Sequence, residues 1–258
     1  MSWPDFPLAF YPVAIIGILL TGISKGGFAG GAAGIGVPLM SIFIAPPEAA
    51  GIMLPILCAM DIFGVHAYRR RWSREHLKAL LPGALIGIGI AALVFGMLPV
   101  NAIRLLIGVI SVAFAMNQWF GFTQWLASRL ARERDKPGPI AGAICGAASG
   151  FTSTIAHAGG PPFAVYMLPQ RLDKTLLVGT SAVFFLIVNY VKLVPYAYLG
   201  QLNLGNLAAA LVFAPLAPLG VWLGVWLHAR ISDRAFYQVS YALLFLTGVK
   251  LIYDAFAT

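Results

Sequence analysis

The chain has 258 residues and a formal net charge of +8, and its composition is that of a membrane protein. Hydrophobic residues make up 60% of it and charged residues 10%, whereas soluble domains are about 45–50% apolar and about 25% charged. This composition excludes a soluble enzyme or soluble binding domain. The basic residues lie in short loops between apolar segments, which indicates membrane orientation and excludes a nucleic-acid-binding face.

Six segments have the length and apolar composition of full transmembrane helices. Each is about 19–25 residues long, which matches a hydrocarbon core of about 30 Å. We predict these spans at 48–66, 76–98, 101–125, 174–196, 206–228 and 234–255. The N-terminal apolar run lacks the basic flank and cleavage site of a signal peptide, so we expect it to belong to the fold.

Two longer apolar segments, 10–45 and 139–169, do not fit a single span. Each is interrupted by glycine and proline, in "GISKGGFAGGAAGIGVP" from Gly22 and in "TSTIAHAGGPP" from Thr152. They are too long for one span and too short for two. We therefore predict two re-entrant hairpins that enter and leave on the same side, with unwound backbone satisfied by protein or by a water-filled cavity.

The distribution of basic residues supports the hairpins. With them, four basic loops at 69–78, 129–136, 171–174 and 230–234 all face one side, and both termini face the other. If 139–169 crossed the membrane instead, the last two loops would change sides, which the positive-inside tendency disfavours. The basic side is predicted to be the cytoplasm.

The chain then divides into two halves, about 10–125 and 139–255, each a hairpin followed by three spans. Because three is odd, the halves are predicted to be inverted repeats within one transmembrane domain, 1–258. A sequence echo supports this, between "GIGVPLM" from Gly34 and "HAGGPPFAVYML" from His157. Interrupted segments at matching positions of inverted halves predict a substrate site near the midplane.

Prolines mark the expected start of each returning arm, at Pro38 and at Pro161 and Pro162. Proline is favoured in the first turn of a helix, where its missing N–H has no intrahelical partner. Each helix start carries about half a positive charge and free backbone N–H groups. Two such ends near the midplane predict an anion site.

The sequence resembles the TauE/SafE family of sulfite exporters over nearly its whole length. The resemblance rests on "GVPL" from Gly36, "GVHAYRRRWSREHLKALLPGALIGIGIA" from Gly64, "SGFTSTIAHAGGPPFAVYML" from Ser149 and "GTSAVFFLIVNYVKLVPYAYLGQL" from Gly179. It implies transmembrane movement of small anions, especially sulfite and organosulfonates. In this chain Lys25 interrupts a stretch that is denser in glycine in many members, which leaves room for a substrate other than sulfite.

The candidate binding residues lie at or near the two breaks. They are Ser24, Lys25, Gly26, Gly27, Gly36, Thr152, Ser153, Thr154, His157, Gly159 and Gly160. For Lys25 we consider three roles: it binds the anion, it pairs with Asp61, or its side chain extends to the membrane interface. The hydroxyl groups donate to anion oxygens or to helix carbonyls. His157 donates to the anion, carries a proton, or is a core histidine, and Asp61 and His157 are the coupling candidates.

Other polar side chains in the spans have simpler interpretations. Asn189 is predicted to form an interhelical hydrogen bond, and Lys192 and Lys250 are predicted to snorkel from span ends. A hydrolase built on Ser149 and His157 is the enzyme alternative, but the two residues share one segment and no metal motif accompanies them. A passive anion channel is the other alternative.

The sequence therefore predicts a secondary transporter of small sulfur oxyanions, most simply an exporter in the cytoplasmic membrane, and not an enzyme. The expected partners are the anionic substrate and membrane lipid. No cofactor, metal or nucleic acid is expected, and the pairing of two protomers is left open.

Overall fold

The structure is a computed structural model, and it describes residues 6–28, 33–122, 125, 138–228, 230 and 233–257. Helix is the regular structure throughout these ranges, which contain no β-strand. The helices are α1 (Phe10–Gly27), α2 (Gly36–Met40), α3 (Pro46–Ala67), α4 (Arg74–Met97), α5 (Val100–Phe120), α6 (Pro139–Ala156), α7 (Gly160–Met167), α8 (Lys174–Tyr198), α9 (Leu204–Phe213), α10 (Leu216–His228) and α11 (Asp233–Ala257). Seven helices in the described ranges are long and apolar enough to cross a membrane. The predicted class, an all-α polytopic membrane protein, is confirmed.

Local sequence signals set several helix ends. Proline occupies the first turn of α3 and of α6, where no intrahelical N–H bond is lost. Asp173 caps α8 by accepting a hydrogen bond from the Leu176 backbone N–H at 3.0 Å. Gly121 takes a left-handed conformation, with φ of 66°, directly after α5.

Each long interrupted segment folds as one long helix followed by a short helix that runs back along it. Gly36 of α2 faces Gly17 of α1, and Tyr166 of α7 lies beside Gly142 of α6. The count of six full-length helices was wrong, because α1 and α6 each have 18 residues. At about 1.5 Å per residue, each is about 27 Å long and has the length of a span by itself.

The segment 206–228, predicted as one span, is divided into α9 and α10, which meet at an angle of 43°. The break falls at Ala214 and Pro215. Proline lacks the N–H that would continue the helix, and its ring clashes with the preceding turn. This bent pair is an eighth candidate span if its two pieces cross the membrane together.

The two halves of the chain have matching neighbours. The helix α4 packs against α6, as α1 packs against α10, while α5 packs against α11 and α3 against α8. This pattern is unchanged when the two halves are exchanged, as expected of two copies of one unit. The opposite orientation of the halves across a membrane stays a prediction.

Glycines allow the helices of these pairs to touch backbone to backbone. A Cβ atom added at any of them would collide with backbone atoms of the facing helix. They are Gly83, Gly87, Gly146 and Gly150 between α4 and α6, and Gly22, Gly26 and Gly224 between α1 and α10. Small residues are the usual means of close approach between membrane helices, so these glycines place both first arms firmly against the opposite half.

Two glycines of α4 provide a matched test of this packing. A Cβ at Gly87 would meet the Ala147 carbonyl and the Phe151 backbone nitrogen, whereas a Cβ at Gly89 would meet nothing within 4 Å. We expect Gly87→Ala to destabilise the protein by about 1–3 kcal/mol, as forced backbone shifts do. Gly89→Ala should be neutral or stabilise by up to about 1 kcal/mol through helix propensity. Thermal melting in detergent measures both, and equal melting temperatures would contradict the packing role.

The predicted orientation can be tested by labelling cysteines in intact cells. Arg171 lies exposed in one basic loop, and Ala257 lies exposed near the C-terminus; the loop 129–136 lies outside the described residues. In a chain with Cys58 and Cys145 replaced by alanine, a membrane-impermeant maleimide should label Ala257→Cys directly and Arg171→Cys only after permeabilisation. Direct labelling at Arg171→Cys would overturn the predicted orientation.

Candidate functional site

Six polar side chains lie buried where α1, α3, α6 and α8 meet, and none is more than 8% exposed. We call them the buried polar cluster: Lys25, Asp61, Ser153, His157, Asn189 and Lys192. Ionisable side chains within membrane-spanning helices are costly, and they commonly line substrate or ion pathways. The cluster is therefore the first candidate for a functional site.

One part of the cluster joins α1, α3 and α8. The Lys25 ammonium lies 2.5 Å from one oxygen of the Asp61 carboxylate, and the Asn189 side-chain amide donates to the other oxygen at 2.6 Å. The interhelical hydrogen bond predicted for Asn189 is thus confirmed. Lys25 also lies 5.5 Å from the centre of the Phe185 ring, a distance that allows cation–π attraction.

The other part joins α6 and α8 through Lys192. Its ammonium donates to the Ser153 carbonyl at 2.9 Å and to the Ser153 hydroxyl at 3.0 Å, and it lies 2.8 Å from Nδ1 of His157. An ammonium group only donates, so Nδ1 accepts. The ring proton is then on Nε2, which donates to the Ala50 carbonyl at 3.2 Å.

The backbone explains why these groups meet. His157 ends α6 in a left-handed conformation, with φ of 53°, so its ring turns back toward the last turn of the helix. The Lys192 ammonium lies at that same end, where the free carbonyls give the helix its partial negative charge. The Tyr196 hydroxyl donates to the Thr154 carbonyl at 2.7 Å, which fixes α8 against α6 one turn further on.

The charges of the cluster do not balance. The Lys25 and Asp61 charges offset each other, whereas the three hydrogen-bond partners of the Lys192 ammonium are neutral groups. With Lys192 protonated, the cluster carries one positive charge in excess. An uncompensated charge in a low-dielectric interior is unfavourable, and an anion placed beside the cluster would offset it.

Two small cavities share Lys25 and Phe185 in their linings. The first is lined by Lys25, Leu57, Ser153, His157, Gly160, Phe185 and Asn189. The second is lined by Lys25, Met60, Asp61, Gly64, Ser181, Ala182 and Phe185. Each leaves about 10 Å³ open to the centre of a water molecule, which is room for about one water. An anion as large as sulfite fits only if the surrounding helices separate.

The predicted site residues fall into two groups by position. Lys25, Ser153, His157 and Gly160 line the first cavity, and Asp61 lines the second. The two glycine-rich breaks also meet, because a Cβ at Gly34 would contact Ala158.

The remaining predicted residues do not line these cavities, so a binding role for them stays a prediction. Thr152 and Thr154 hydrogen bond to the carbonyls of Ala148 and Gly150, one turn earlier in their own helix. Gly26, which packs against α10, accepts a hydrogen bond from the Tyr68 hydroxyl at 2.7 Å. Ser24 and Gly27 are buried at the end of α1.

The first turns of the returning arms offer few free N–H groups. In α7, Pro161 and Pro162 have none, which leaves the N–H of Gly160 as the donor nearest the cavity. Gly159 lies before α7, where a Cβ would meet Ser149 and Phe185. In the first half, a Cβ at Gly36 would meet Met53 and Thr21 rather than either cavity. Only the second of the two predicted helix starts thus lies at the cluster.

Lys192 is the residue that sequence reasoning missed. Its assignment to snorkelling was wrong, because its side chain is fully buried. A spacing signal was present: Phe185, Asn189, Lys192 and Tyr196 follow one another at intervals of four, three and four residues, which places them on one face of a helix. Lys250, in contrast, is half exposed and pairs with Asp254 at 2.9 Å.

Comparison with known proteins identifies the family of the chain. The family model for the sulfite exporter TauE/SafE matches residues 14–251, a range that contains the whole buried polar cluster. No curated protein and no solved structure matches the chain. Because the match spans nearly all of the sequence and nearly all of the described fold, the chain belongs to the TauE/SafE family of sulfite exporters.

Proposed function

We propose that this protein is a secondary transporter, acting as an exporter in the cytoplasmic membrane, of small sulfur oxyanions such as sulfite and organosulfonates. The observation that carries the proposal is the buried polar cluster, with two ammonium groups and one carboxylate in an apolar interior. A bound monoanion offsets the excess charge on Lys192. The oxygens of such an anion need several hydrogen-bond donors at once, and the cluster offers the ammonium groups of Lys25 and Lys192 and the Ser153 hydroxyl.

The binding site in this proposal is the first cavity, enlarged. Lys25 lines this cavity, and Lys192 lies directly behind its wall, against Ser153 and His157. The two lysines supply positive charge, and the Ser153 hydroxyl and the Gly160 N–H supply neutral donors. His157 holds the Lys192 ammonium through Nδ1. Donors of this kind at a helix start and on facing helices suit the oxygens of a sulfonate. For the predicted residues that do not line this cavity, anion binding stays a prediction: Ser24, Gly26, Gly27, Gly36, Thr152, Thr154 and Gly159.

Transport requires the small cavities to open alternately to the two sides. Lys25 and Phe185 line both cavities, so in this proposal they form the inner barrier, with Asp61 holding Lys25 in place. The second cavity lies beside Gly64, less than two turns before Tyr68 and the basic loop at 69–78. Movement of one half against the other, as expected for inverted repeats, opens one route while it closes the other.

Asp61 and His157 are the proposed coupling groups, since both are titratable and both contact a lysine of the cluster. The geometry gives no support to the hydrolase alternative. The Ser149 hydroxyl donates to the Gly159 carbonyl at 2.7 Å, and both ring nitrogens of His157 have other partners. A nucleophile activated by a base requires a direct hydrogen bond between the two.

Ligand-induced thermal stabilisation tests the proposed substrate class. Detergent-purified protein is heated with sulfite, thiosulfate, sulfate, methanesulfonate or taurine, and with chloride and acetate at equal ionic strength as controls. Binding to the folded state raises apparent stability by about 2.7 kcal/mol at 100 times the dissociation constant. We expect sulfur oxyanions to raise the melting temperature and the controls to leave it unchanged. No stabilisation by any sulfur oxyanion would overturn the proposal.

Flux measurements separate a carrier from a channel. In proteoliposomes, a coupled carrier accumulates labelled substrate against its gradient when a pH difference is imposed, whereas a channel only equalises concentrations. We expect accumulation that depends on the pH difference. Equilibration alone, at the same rate with and without that difference, would favour the channel.

A further inference from the structure

Lys192 and His157 bring two basic nitrogen atoms, Nζ and Nδ1, into hydrogen-bonding contact through a single N–H proton. Nζ and Nδ1 lie 2.8 Å apart, so one N–H points from one atom to the lone pair of the other. The opposite ring nitrogen is fixed by its bond to the Ala50 carbonyl. A second proton on this pair would place an N–H on Nδ1 directly against an N–H of the ammonium.

Neighbouring groups leave the charge of this pair uncompensated. From α1, Lys25 faces it; from α3, Asp61 and Cys58 do; and on α8 itself Tyr196 stacks on the His157 ring at 6.0 Å. The single carboxylate among these groups, Asp61, lies against Lys25 at 2.5 Å and accepts from Asn189. Asp61 is therefore paired with Lys25, and no anionic group among the described residues pairs with Lys192.

The number of protons on the pair therefore sets the charge that the site can accept. With one shared proton, the cluster has an excess of one positive charge, and a monoanion brings the total to zero. A dianion brings it to minus one. Protonation of Nδ1 restores neutrality. The flexible Lys192 ammonium then turns away from the new Nδ1–H, and both groups donate to oxygens of the dianion.

We propose that the Lys192–His157 pair matches its protonation to the substrate, so that a monoanion binds without a proton and a dianion binds with uptake of one. This proposal rests on the proposed anion transport and specifies its regulation. The proton comes from the aqueous phase and forms an N–H bond at Nδ1 of His157. The Lys192 ammonium keeps its own protons throughout, so charge and atoms balance.

Titration calorimetry in two buffers of different ionisation enthalpy counts the protons taken up. The probes are methanesulfonate, a monoanion near neutrality, and sulfate and thiosulfate, which are dianions. We expect no proton with methanesulfonate and about one with each dianion. Over about pH 5 to 7, dianion affinity should rise toward low pH by up to about tenfold per unit, as uptake of one proton requires, while methanesulfonate affinity stays flat.

Two substitutions remove the titrating nitrogen without removing an acceptor for Lys192. In His157→Gln and His157→Asn a side-chain oxygen can accept from the ammonium, and asparagine also suits the left-handed backbone at this position. We expect neither variant to take up a proton with sulfate or thiosulfate. Stabilisation of either variant by methanesulfonate shows that it is folded. Lys250→Gln, which removes an exposed lysine, should behave as the parent does.

The outcomes distinguish this proposal from the proposed function. Dianion binding by the parent without proton uptake, or equal uptake in a folded His157 variant, would overturn the shared-proton proposal and leave anion transport intact. Proton uptake with methanesulfonate equal to that with sulfate would also overturn it. If none of the sulfur oxyanions binds, the proposed function fails and the present proposal fails with it.

Discussion

Replacement of Lys25 by methionine should abolish anion-dependent stabilisation and also lower the stability of the protein itself. The substitution removes the cation from a carboxylate that is 2% exposed, and within the described part of the chain Asn189 is then the one hydrogen-bond donor left to Asp61. Loss of one partner from a buried ion pair costs about 3–5 kcal/mol, because the other charge remains buried and unpaired. Thermal melting with and without methanesulfonate measures both effects.

A second substitution separates the two effects. In Lys25→Met with Asp61→Asn, the unpaired carboxylate is gone, and an amide beside Asn189 has a hydrogen-bonding partner. We expect most of the lost stability to return. Anion binding should stay weaker than in the parent, because the excess charge on Lys192 is restored but the direct contact between the Lys25 ammonium and the anion is missing. Recovery of the parental anion affinity in the double variant would show that Lys25 does not contact the anion, and unchanged stability in Lys25→Met would show that the ion pair with Asp61 does not stabilise the fold.

Much of the fold could be predicted from the sequence, because membrane physics leaves few alternatives. Apolar runs with basic residues between them identify α3, α4, α5, α8 and α11. In lipid, backbone polar groups must be satisfied within the segment, so such runs form helices.

Finer features depend on geometry that composition does not contain. The run 206–228 is apolar throughout, and the consequence of Pro215, a bend of 43°, depends on how α9 and α10 pack. In the same way, the break at Gly26 and Gly27 falls at the end of a full-length α1 rather than at its middle. A glycine-rich stretch predicts an interruption, whereas the length of the preceding helix follows from its packing against α10.

The candidate site was predictable where a residue lay at a visible break and not where it lay within a regular helix. Ser153, His157 and Gly160 are next to the interruption in the sequence, and a broken membrane segment predicts a binding site at its break. Lys192 lies on an uninterrupted α8, which extends to Tyr198, and it joins the site because α8 packs against the end of α6. A lysine read alone suggests an interface position. Because Lys192 shares a helix face with Phe185 and Asn189, the pattern indicates a position in the interior of the protein.

The two lysines of the cluster differ in one respect that decides how their loss affects the protein. Lys25 has a carboxylate partner, whereas the hydrogen-bond partners of Lys192 among the described residues are the Ser153 carbonyl and hydroxyl and the His157 ring. Burial of the Lys192 charge is therefore offset only partly by the folded protein. Its removal relieves an unfavourable charge and leaves neutral acceptors unpaired, two changes that oppose each other in stability.

Lys192→Met is therefore expected to weaken anion binding strongly while it changes the melting temperature much less than Lys25→Met does. Loss of a desolvated charge from a charge pair with the bound anion costs about 2–5 kcal/mol, so affinity for methanesulfonate should fall by more than about tenfold. Lys250→Met is the matched control, since that lysine is half exposed and lies on α11. Calorimetric titration and melting in detergent give the two values. If Lys192→Met retained parental affinity, the excess charge of the cluster would not be what attracts the anion.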